Sequence, residues 1–362
     1  MYDGGTESHA AVSISITLLM WPTVLGALTR RESLADADVR WAMQEIMSGT
    51  ATPAQVAAFV VALRMRGETA ADIAALVDVM LEFAIRIDAG GPALDTCGTG
   101  GDGAHTVNIS TMAAVVLATA GVRVVKHGNR AASSKCGSAD VLEALGVRID
   151  LAPERTAAIL HEQGLTFCFA PTFHPALRYA GPTRREIGIP TVFNFLGPLA
   201  NPAQPSAQIV GVADAQKAPL IADVLRLRGT RAIVVRGNDG LDEASIFAPT
   251  TCWATWLDEP ITITPQEFGI PQHPSNALAG GDASHNADVA RSVLSGEDRY
   301  RGVRDAVALN AALGLVAWRA VTDHAPNDLH VATQQAFQEV RTILTEGMSA
   351  AVLSNWAAAT QR

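Results

Sequence analysis

The sequence has few aromatic residues, few charges and few cysteines. Aromatic side chains make up 5% of the 362 residues and charged ones 17%, whereas 48% are hydrophobic. This balance excludes a disordered chain, which needs low hydrophobicity and high net charge. The apolar residues are mostly aliphatic, which favours helices and buried strands over an aromatic-lined β-sandwich. The length indicates two domains or one large one.

Basic residues are also in the minority. Lys and Arg number 27 and Asp and Glu 36, which gives a formal net charge of −9. An acidic chain is repelled by a phosphate backbone, so we expect no nucleic-acid partner. A local basic pocket remains compatible with this charge.

The four cysteines form no metal-binding or disulfide pattern. They stand at 97, 136, 168 and 252, so no two make a C-x-x-C pair. This spacing argues against a zinc site and against a disulfide framework. Reduced thiols indicate a cytoplasmic protein.

One apolar stretch, residues 10–28, has the length of a signal peptide or a short membrane span. Hydroxyl residues and Pro22 interrupt it, and acidic residues rather than basic ones precede it. A signal peptide needs a basic start and a small-residue cleavage site. We therefore predict no membrane segment, and we predict that residues 1–19 are a disordered extension, with Met20 as an alternative start.

Helical patterns dominate the first part of the chain. The predicted helices cover 33–49, 53–67 and 73–85, with N-caps at Ser33, Thr52 and Thr69. Thr69 with Asp72 three residues later resembles a capping box. Residues 88–92, Asp-Ala-Gly-Gly-Pro, form a linker and the first domain boundary.

Strands and helices alternate after residue 92. The predicted strands are 93–95, 122–126, 147–151, 165–170, 208–212, 232–236 and 253–257, and the predicted helices are 108–120, 138–145, 153–163, 217–227, 288–294, 304–318 and 333–346. Such alternation indicates an α/β domain with a mainly parallel central sheet flanked by helices. The segment 171–200 looks helical and is expected to fold back onto the first helices. We therefore predict a discontinuous all-helical domain of 20–92 and 171–200, and a larger α/β domain of 93–170 and 201–362.

A glycine-rich loop follows the first predicted strand. Residues 95–103 read Asp-Thr-Cys-Gly-Thr-Gly-Gly-Asp-Gly, and a helix with Asn108, Ser110 and Thr111 at its start comes next. Glycines let the backbone approach an anion, and a helix N-terminus favours phosphate. The alternative is an ordinary glycine turn. The loop is neither a Walker loop nor G-x-G-x-x-G.

A basic loop follows the second of these strands. Residues 126–134 read Lys-His-Gly-Asn-Arg-Ala-Ala-Ser-Ser, which supply two cations and several hydrogen-bond donors. Because both loops follow strands, they can lie at one edge of the sheet, where open α/β sheets bind ligands. The alternative is a solvated basic turn.

Two adjacent carboxylates, Asp242 and Glu243, follow a later strand. Neighbouring carboxylates repel one another unless a cation compensates them. Magnesium uses one or two carboxylates together with substrate phosphates and water. The alternative is a solvated acidic turn.

The helical segment 171–200 contains residues suited to a small acid. The guanidinium group of Arg184 has the planar fork that matches a carboxylate. Arg185 could equally be the pocket arginine, and His174 could be a core histidine. Taken together, the glycine-rich loop, the basic loop, the acidic pair and the arginine suit the binding of a magnesium-bound polyphosphate and a small acid. No Ser/His/Asp order, Cys/His nucleophile or zinc pattern appears.

These motifs closely resemble those of the anthranilate phosphoribosyltransferase family. The residues that carry the resemblance are GTGGD at 98–102, NIST at 108–111, KHGNRAASS at 126–134, CGSADVLEALG at 136–146, RREIG at 184–188, FNFLGPLANP at 193–202 and GLDE at 240–243. The resemblance covers roughly residues 30–350 in family order. Cys136 stands where the family often has a smaller residue such as Ser, which leaves the assignment intact.

The resemblance implies transfer of the phosphoribosyl group from 5-phosphoribosyl-1-diphosphate (PRPP) to the amine of anthranilate, with release of diphosphate. It also implies a small helical domain, a larger α/β domain, a homodimer formed through the helical domain, and two Mg²⁺ ions per active site. No catalytic base is expected, since an aromatic amine is already neutral at pH 7.

The resemblance also implies site residues. The PRPP contacts are Gly98, Gly101, Asp102, Thr106, Asn108, Ile109, Ser110, Thr111, Lys126, His127, Gly128, Asn129, Arg130, Ala131, Ala132, Ser133, Ser134 and Ser138. The anthranilate contacts are Gly98, Asn129 and Arg184, with His174 and Pro171 lining the approach path. The magnesium ligands are Ser110, Asp242 and Glu243.

Two other functions remain open at this point. A pyrimidine nucleoside phosphorylase of the same fold would use inorganic phosphate and a nucleoside, and should not need Asp242 and Glu243. A non-catalytic, nucleic-acid-binding relative should have lost parts of GTGGD or KHGNR and should carry a basic surface.

Overall fold

The computed structural model of the protein describes residues 20–131 and 135–362. Its helices are α1 Trp21–Thr29, α2 Asp36–Ser48, α3 Pro53–Arg66, α4 Ala70–Glu82, α5 Ile109–Thr119, α6 Ser138–Ala144, α7 Pro153–Gln163, α8 Ala170–Phe173, α9 Gly181–Ile187, α10 Phe193–Leu196, α11 Lys217–Leu227, α12 Ala283–Leu294, α13 Arg301–Thr322, α14 Leu329–Thr345 and α15 Ser349–Thr360. None of these helices is long and apolar enough to span a membrane. The predicted extension 1–19 lies outside the described residues.

Seven strands form one sheet. They are β1 Leu94–Gly98, β2 Val124–Gly128, β3 Leu165–Phe169, β4 Ala207–Gly211, β5 Arg231–Gly237, β6 Thr250–Ala254 and β7 Ile261–Ile263, in the order β3-β2-β1-β4-β5-β6-β7. The first five in this order are parallel, while β5–β6 and β6–β7 are antiparallel. The predicted fold class, a small helical region with a mainly parallel α/β sheet, is confirmed.

Two predicted helix caps are confirmed by their hydrogen bonds, although α4 begins at Ala70 rather than at residue 73. The Thr52 hydroxyl accepts from the backbone of Gln55, whose side chain accepts in turn from Thr52, and Thr69 and Asp72 form the same box at α4. The third predicted cap, Ser33, is wrong. Helix α2 begins three residues later with Ala35 as its N-cap and no side-chain cap, and Asp36 and Asp38 in its first turn complement the helix dipole instead.

Several predicted boundaries also differ from the structure. No strand forms at 147–151, where Val147 and Ile149 are 2% and 4% exposed but pair with no neighbouring strand. Their alternation reflects packing into the core rather than a ladder. Helix α4 ends at Glu82 instead of residue 85, and β2 and β6 are shifted by two and three residues. Helix α15 and strand β7 were not predicted.

The sheet separates two large hydrophobic clusters. Alternate residues of the central strands point to opposite faces, so Ile209 and Val235 belong to one cluster and Val210 and Val234 to the other. Helices α5 and α13 contribute to the first cluster, and α1–α4 with α11 to the second. Buried residues between 180 and 200 also belong to the second cluster. This contact is the one expected of the helical insert, while the exact division into domains stays a prediction.

Candidate functional site

Three loops lie at the carboxyl edge of the sheet. They follow β1, β2 and β5, and because these strands run parallel, their carboxyl ends point the same way. The glycine-rich loop, the basic loop and the acidic pair are thus on the same side of the sheet, as the sequence predicts. The strand order places β1 between β2 and β4, where successive connections diverge, and open α/β sheets bind ligands at such a point.

The glycine-rich loop lies directly against Asp242. The backbone N–H of Gly100 donates to Asp242 Oδ2 at 2.7 Å. A Cβ on Gly98 would lie only 2.3 Å from the same oxygen. Gly100 and Gly101 have φ of 66° and 85°, which side chains rarely adopt. Glycine at these positions therefore lets the loop and the acidic pair meet.

Several carboxyl groups gather at this contact. Burial, followed by the charge of Asp102, raises the pKa of Asp242 to about 7. Burial and then the charge of Asp242 raise the pKa of Glu243 well above its usual range, although Lys126 opposes this. The backbone amide of Ser110 also acts to lower the pKa of Glu243. Such a group of carboxylates favours a bound cation.

The residues at this contact suit a bound Mg²⁺, as the sequence predicts. Across residues 20–131 and 135–362, no three His, Cys, Asp or Glu side chains form a complete metal cage by themselves. Magnesium does not need one, since one or two carboxylates suffice when substrate phosphates and water supply the remaining oxygens. Asp242, Glu243 and the Ser110 hydroxyl are the groups that would hold it.

Lys126 lies beneath the loops rather than in the open pocket. Its side chain is 1% exposed, and Nζ donates to Thr96 O at 2.5 Å and to Ser110 Oγ at 3.1 Å. Burial lowers the pKa of Lys126, while Asp95 raises it. Lys126 therefore orients the Ser110 hydroxyl and supplies positive charge from below.

The start of α5 is fixed by side-chain contacts. Asn108 precedes the helix, donates from Nδ2 to Cys136 O at 3.1 Å and accepts from Asn286 Nδ2 at 2.9 Å. Thr106 bridges to Ala279. Ile109 and Thr111 are buried and Ser110 is half-buried. The predicted phosphate-binding turn is thereby held between the basic loop and α12.

The basic loop differs from expectation at Arg130. Its guanidinium was expected to give positive charge to the pocket, but here it bonds Asp140 at 2.9 Å and Glu143 at 2.5 Å. It also lies 5.6 Å from the centre of the Phe169 ring. Its charge is thus largely compensated. Ala132, Ser133 and Ser134 lie outside the described residues.

The remaining predicted positions of this loop are distributed around its ends. Asn129 is exposed, and Gly128, Ala131 and Ser138 are half-buried. A Cβ on Gly128 would meet the Phe167 ring at 2.9 Å. Glycine is therefore required where β2 leaves the sheet.

The two predicted histidines are buried and neutral. His127 Nδ1 lies 3.1 Å from Gly197 O and His174 Nε2 lies 2.8 Å from Ala200 O, so these nitrogens carry the protons. Burial, and for His127 also the charge of His174, lowers their pKa values to about 3 and about 4. The rings are 5.1 Å apart. His174 is 3% exposed, which matches the core-histidine interpretation, and its role toward anthranilate stays a prediction.

Arg184 and Arg185 can be told apart in the structure. Arg184 is half-buried on α9, with Nη2 3.4 Å from Phe193 O and the guanidinium 5.3 Å from the Phe193 ring centre. Burial lowers the pKa of Arg184. Arg185 is exposed, as is Pro171. Arg184 is therefore the arginine that the fold directs inward.

Sequence reasoning missed the residues that brace the loops. Asp95 is fully buried and accepts from His127 N at 3.1 Å and from Asn201 Nδ2 at 2.9 Å. Asn201 Nδ2 also donates to Val125 O at 2.8 Å. A carboxylate inside an apolar strand is rare unless paired, and that signal could have drawn attention to Asp95. Asp140, on α6, carried no comparable signal.

The comparisons with known proteins agree with this geometry. The helical bundle domain of a glycosyl transferase family matches residues 22–84, and the a/b domain of the same family matches residues 90–350. Fold and site thus define a member of this glycosyl transferase class.

Proteins of similar sequence assign the chain to one family within this class. The anthranilate phosphoribosyltransferase of Acidothermus cellulolyticus is 53% identical over 344 residues, covering 94% of this chain and 95% of that protein. The one from Salinispora arenicola is 50% identical over 342 residues, with 93% and 95% covered. The chain belongs to the anthranilate phosphoribosyltransferase family.

Solved structures show the same fold. The anthranilate phosphoribosyltransferase of Thermus thermophilus superposes with a TM-score of 0.87 at 37% identity, over 94% of this chain and 99% of that one. The Saccharomyces cerevisiae enzyme in complex with PRPP and Mg superposes with a TM-score of 0.84 at 26% identity, over 94% and 98%.

Proposed function

We propose that the protein transfers the 5-phosphoribosyl group of PRPP to the amine of anthranilate. The products are N-(5-phosphoribosyl)anthranilate and diphosphate, and the reaction is the second step of tryptophan biosynthesis from chorismate. The observation that carries this proposal is the contact between the glycine-rich loop and Asp242 at the carboxyl edge of the sheet. Family membership over nearly the whole chain supports the same activity.

In this reaction the C1–O bond to diphosphate breaks and a C1–N bond forms. The amine nitrogen then loses a proton to solvent or to the diphosphate. Bond breaking runs ahead of bond making, so positive charge develops on the ribose ring and negative charge on the leaving group. Backbone N–H groups of the glycine-rich loop and of the start of α5 stabilise that negative charge. No basic side chain has to remove a proton from the neutral amine before attack.

Arg184 is the proposed anthranilate-binding residue. Its guanidinium can pair with the anthranilate carboxylate through two parallel hydrogen bonds, which would direct the amine toward C1. Partial burial strengthens such a pair, because the surrounding dielectric is lower than that of water. Asn129 and Gly98 complete the proposed contacts on this side.

We further propose that the enzyme depends on Mg²⁺, with two ions per active site. Ser110, Asp242 and Glu243 would hold metal, with Lys126 orienting the Ser110 hydroxyl. When bound, Mg²⁺ neutralises charge on the diphosphate leaving group. The carboxylates would then be held in the ionised form that their burial otherwise disfavours.

The activity is tested by following anthranilate fluorescence in the presence of PRPP and Mg²⁺. Fluorescence should fall with time, and diphosphate should appear in equal amount. The nucleoside phosphorylase alternative is tested in parallel with thymidine and inorganic phosphate. Release of thymine without any loss of anthranilate would refute the proposal and favour that alternative.

The metal assignment is tested with the double variant Asp242→Asn, Glu243→Gln. It should abolish magnesium-dependent turnover and also the thermal stabilisation that PRPP with Mg²⁺ gives the wild type. The matched control is Asp258→Asn, Glu259→Gln, an adjacent acidic pair that is exposed. Near-wild-type activity of the first double variant would rule out the carboxylate ligands.

A homodimer formed through the helical domain and a cytoplasmic location complete the proposal. The homodimer rests on the family resemblance, and the cytoplasmic location rests on the four free cysteines. Sedimentation equilibrium of the purified protein tests the first, with a mass twice the 37.9 kDa of the chain expected. A mass of one chain at micromolar concentration would contradict it.

A further inference from the structure

One carboxylate joins Ala131 and Gly137, which are taken from here on as the two ends of the basic loop, extended to the start of α6. Asp140 Oδ2 accepts the backbone N–H of Gly137 at 2.8 Å and that of Ala131 at 3.0 Å. Asp140 Oδ1 accepts from Arg130 Nη1 at 2.9 Å. A single side chain on α6 thus bonds residues on both sides of the segment 132–136.

The two ends of the loop are also in direct backbone contact. A Cβ on Gly137 would lie 2.4 Å from Ala131 N and 2.5 Å from the carbonyl carbon of Arg130. The N–H of Ala139 donates to Asn129 O at 3.2 Å. Residues 129–131 therefore lie against residues 137–139, and Asp140 bonds both sides of this contact.

Asp140 does more than cap its helix. A capping-box carboxylate satisfies the backbone N–H of the N-cap residue, which here is Gly137. The bonds to Ala131 and Arg130 reach nine and ten residues back along the chain. Burial acts to raise the pKa of Asp140, but the N–H groups of Gly137 and Ala131 and the side chain of Arg130 outweigh it, and the pKa is lowered. The group is therefore ionised at neutral pH, and its hydrogen bonds are charge-assisted.

Glu143 provides a natural comparison one turn along α6. It bonds the same Arg130 guanidinium at 2.5 and 3.0 Å. Within the described part of the chain, it takes no bond from the amides of Ala131 or Gly137. The two carboxylates thus share the Arg130 contact but differ in their contact with the loop backbone.

We infer that Asp140 is a positioning residue for PRPP: through the amides of Ala131 and Gly137 it holds both ends of the basic loop in binding geometry. The inference rests on the proposed function, because the resemblance assigns residues 126–134 and Ser138 to PRPP. Asp140 itself need not touch the substrate. The loop ends would otherwise have to be ordered at the expense of binding free energy.

The test compares Asp140→Ala with Glu143→Ala and Asp140→Asn. Calorimetric Kd for PRPP with Mg²⁺ and steady-state KM values are measured for each. Asp140→Ala should raise the PRPP Kd and KM about tenfold, with anthranilate KM and kcat within threefold of wild type. Glu143→Ala should stay within threefold throughout. Asp140→Asn should recover most of the loss, because its amide oxygen can still accept from both backbone groups.

General loss of a helix cap is controlled by Gln55→Ala. This change removes the corresponding side chain from the capping box of α3, so it should lower the melting temperature without changing PRPP binding. Amide hydrogen exchange adds a readout that needs no turnover. The amides of Ala131 and Gly137 should both be protected, and Asp140→Ala should release both.

Several outcomes would overturn the inference. They are a PRPP Kd of Asp140→Ala within twofold of wild type, an equal rise in the KM of both substrates, or an unprotected Ala131 amide in the wild type. If the wild type binds PRPP but leaves anthranilate unchanged, the proposed function fails while the Kd series still tests Asp140. The two failures are thereby distinguishable.

Discussion

Replacing Gly98 by Ala should weaken metal binding while leaving the fold intact. In Gly98→Ala the new Cβ would lie 2.3 Å from Asp242 Oδ2. An ordinary carbon–oxygen contact is about 3.3 Å, so the carboxylate must retreat by roughly 1 Å. The obstructing atom is the end of a side chain, which can rotate, so the fold should survive the change.

The displacement of the Asp242 carboxylate should break one hydrogen bond, and this sets its free-energy cost. Asp242 Oδ2 accepts the Gly100 N–H at 2.7 Å, and a shift of roughly 1 Å takes this pair beyond hydrogen-bonding distance. A hydrogen bond to a charged group contributes about 1.5–3 kcal/mol, which corresponds to a factor of roughly 10 to 150. We expect kcat/KM for PRPP at limiting Mg²⁺ to fall by about one to two orders of magnitude. The Mg²⁺ concentration that gives the half-maximal rate should rise as kcat/KM falls.

The assay is anthranilate consumption over a series of Mg²⁺ concentrations, with thermal unfolding in parallel. Gly26→Ala is the matched control, since its added methyl would meet only the end of Arg30 at 3.3 Å on helix α1. It should leave turnover and magnesium dependence unchanged. A Gly98→Ala enzyme within threefold of wild type at every Mg²⁺ concentration would refute the reasoning.

Two further predictions concern Asp95 and Arg184. Burial raises the pKa of Asp95 to about 6, although the charge of Lys126 acts to lower it. The native state therefore binds this proton more tightly than the unfolded chain does. The contribution of Asp95 to stability consequently falls as the pH rises from about 4 to 6, and it is constant above pH 6. The free energy of unfolding in urea of the wild type minus that of Asp95→Asn should therefore decrease by about 2 kcal/mol between pH 4 and pH 7, and parallel pH profiles of the two proteins would contradict this. Arg184→Ala should raise the anthranilate KM at least tenfold and the PRPP KM less than threefold, whereas exposed Arg185→Ala should change neither. Equal changes in both KM values would remove the assigned role of Arg184.

The edge of the sheet could be predicted because the motifs follow strands directly. Short apolar runs at 93–95 and 122–126 predicted two parallel strands, and parallel strands present their carboxyl ends together. Helices α7 and α11 could be bounded to the residue, since Pro153 and the polar turn before Lys217 mark their starts. These signals are local, and each depends on a few neighbouring residues.

The contacts between distant segments could not be predicted in the same way. Asp95 and Asn201 are 106 residues apart in sequence yet 2.9 Å apart in space, and no local pattern encodes that pairing. Arg130 looked like a pocket cation because its partner carboxylates stand on the following helix. The antiparallel β6–β7 edge was also out of reach, because its register is set by pairing with β5.

The cluster shared by α1–α4, residues 180–200 and α11 has a consequence for cooperativity. Phe193, Leu196 and Leu199 are all less than 10% exposed and cover the first helices, although the chain reaches them only after β3. Residues 22–84 alone would leave that apolar surface open to water. We therefore expect that the helical bundle does not fold by itself and that both regions fold and unfold in one cooperative transition.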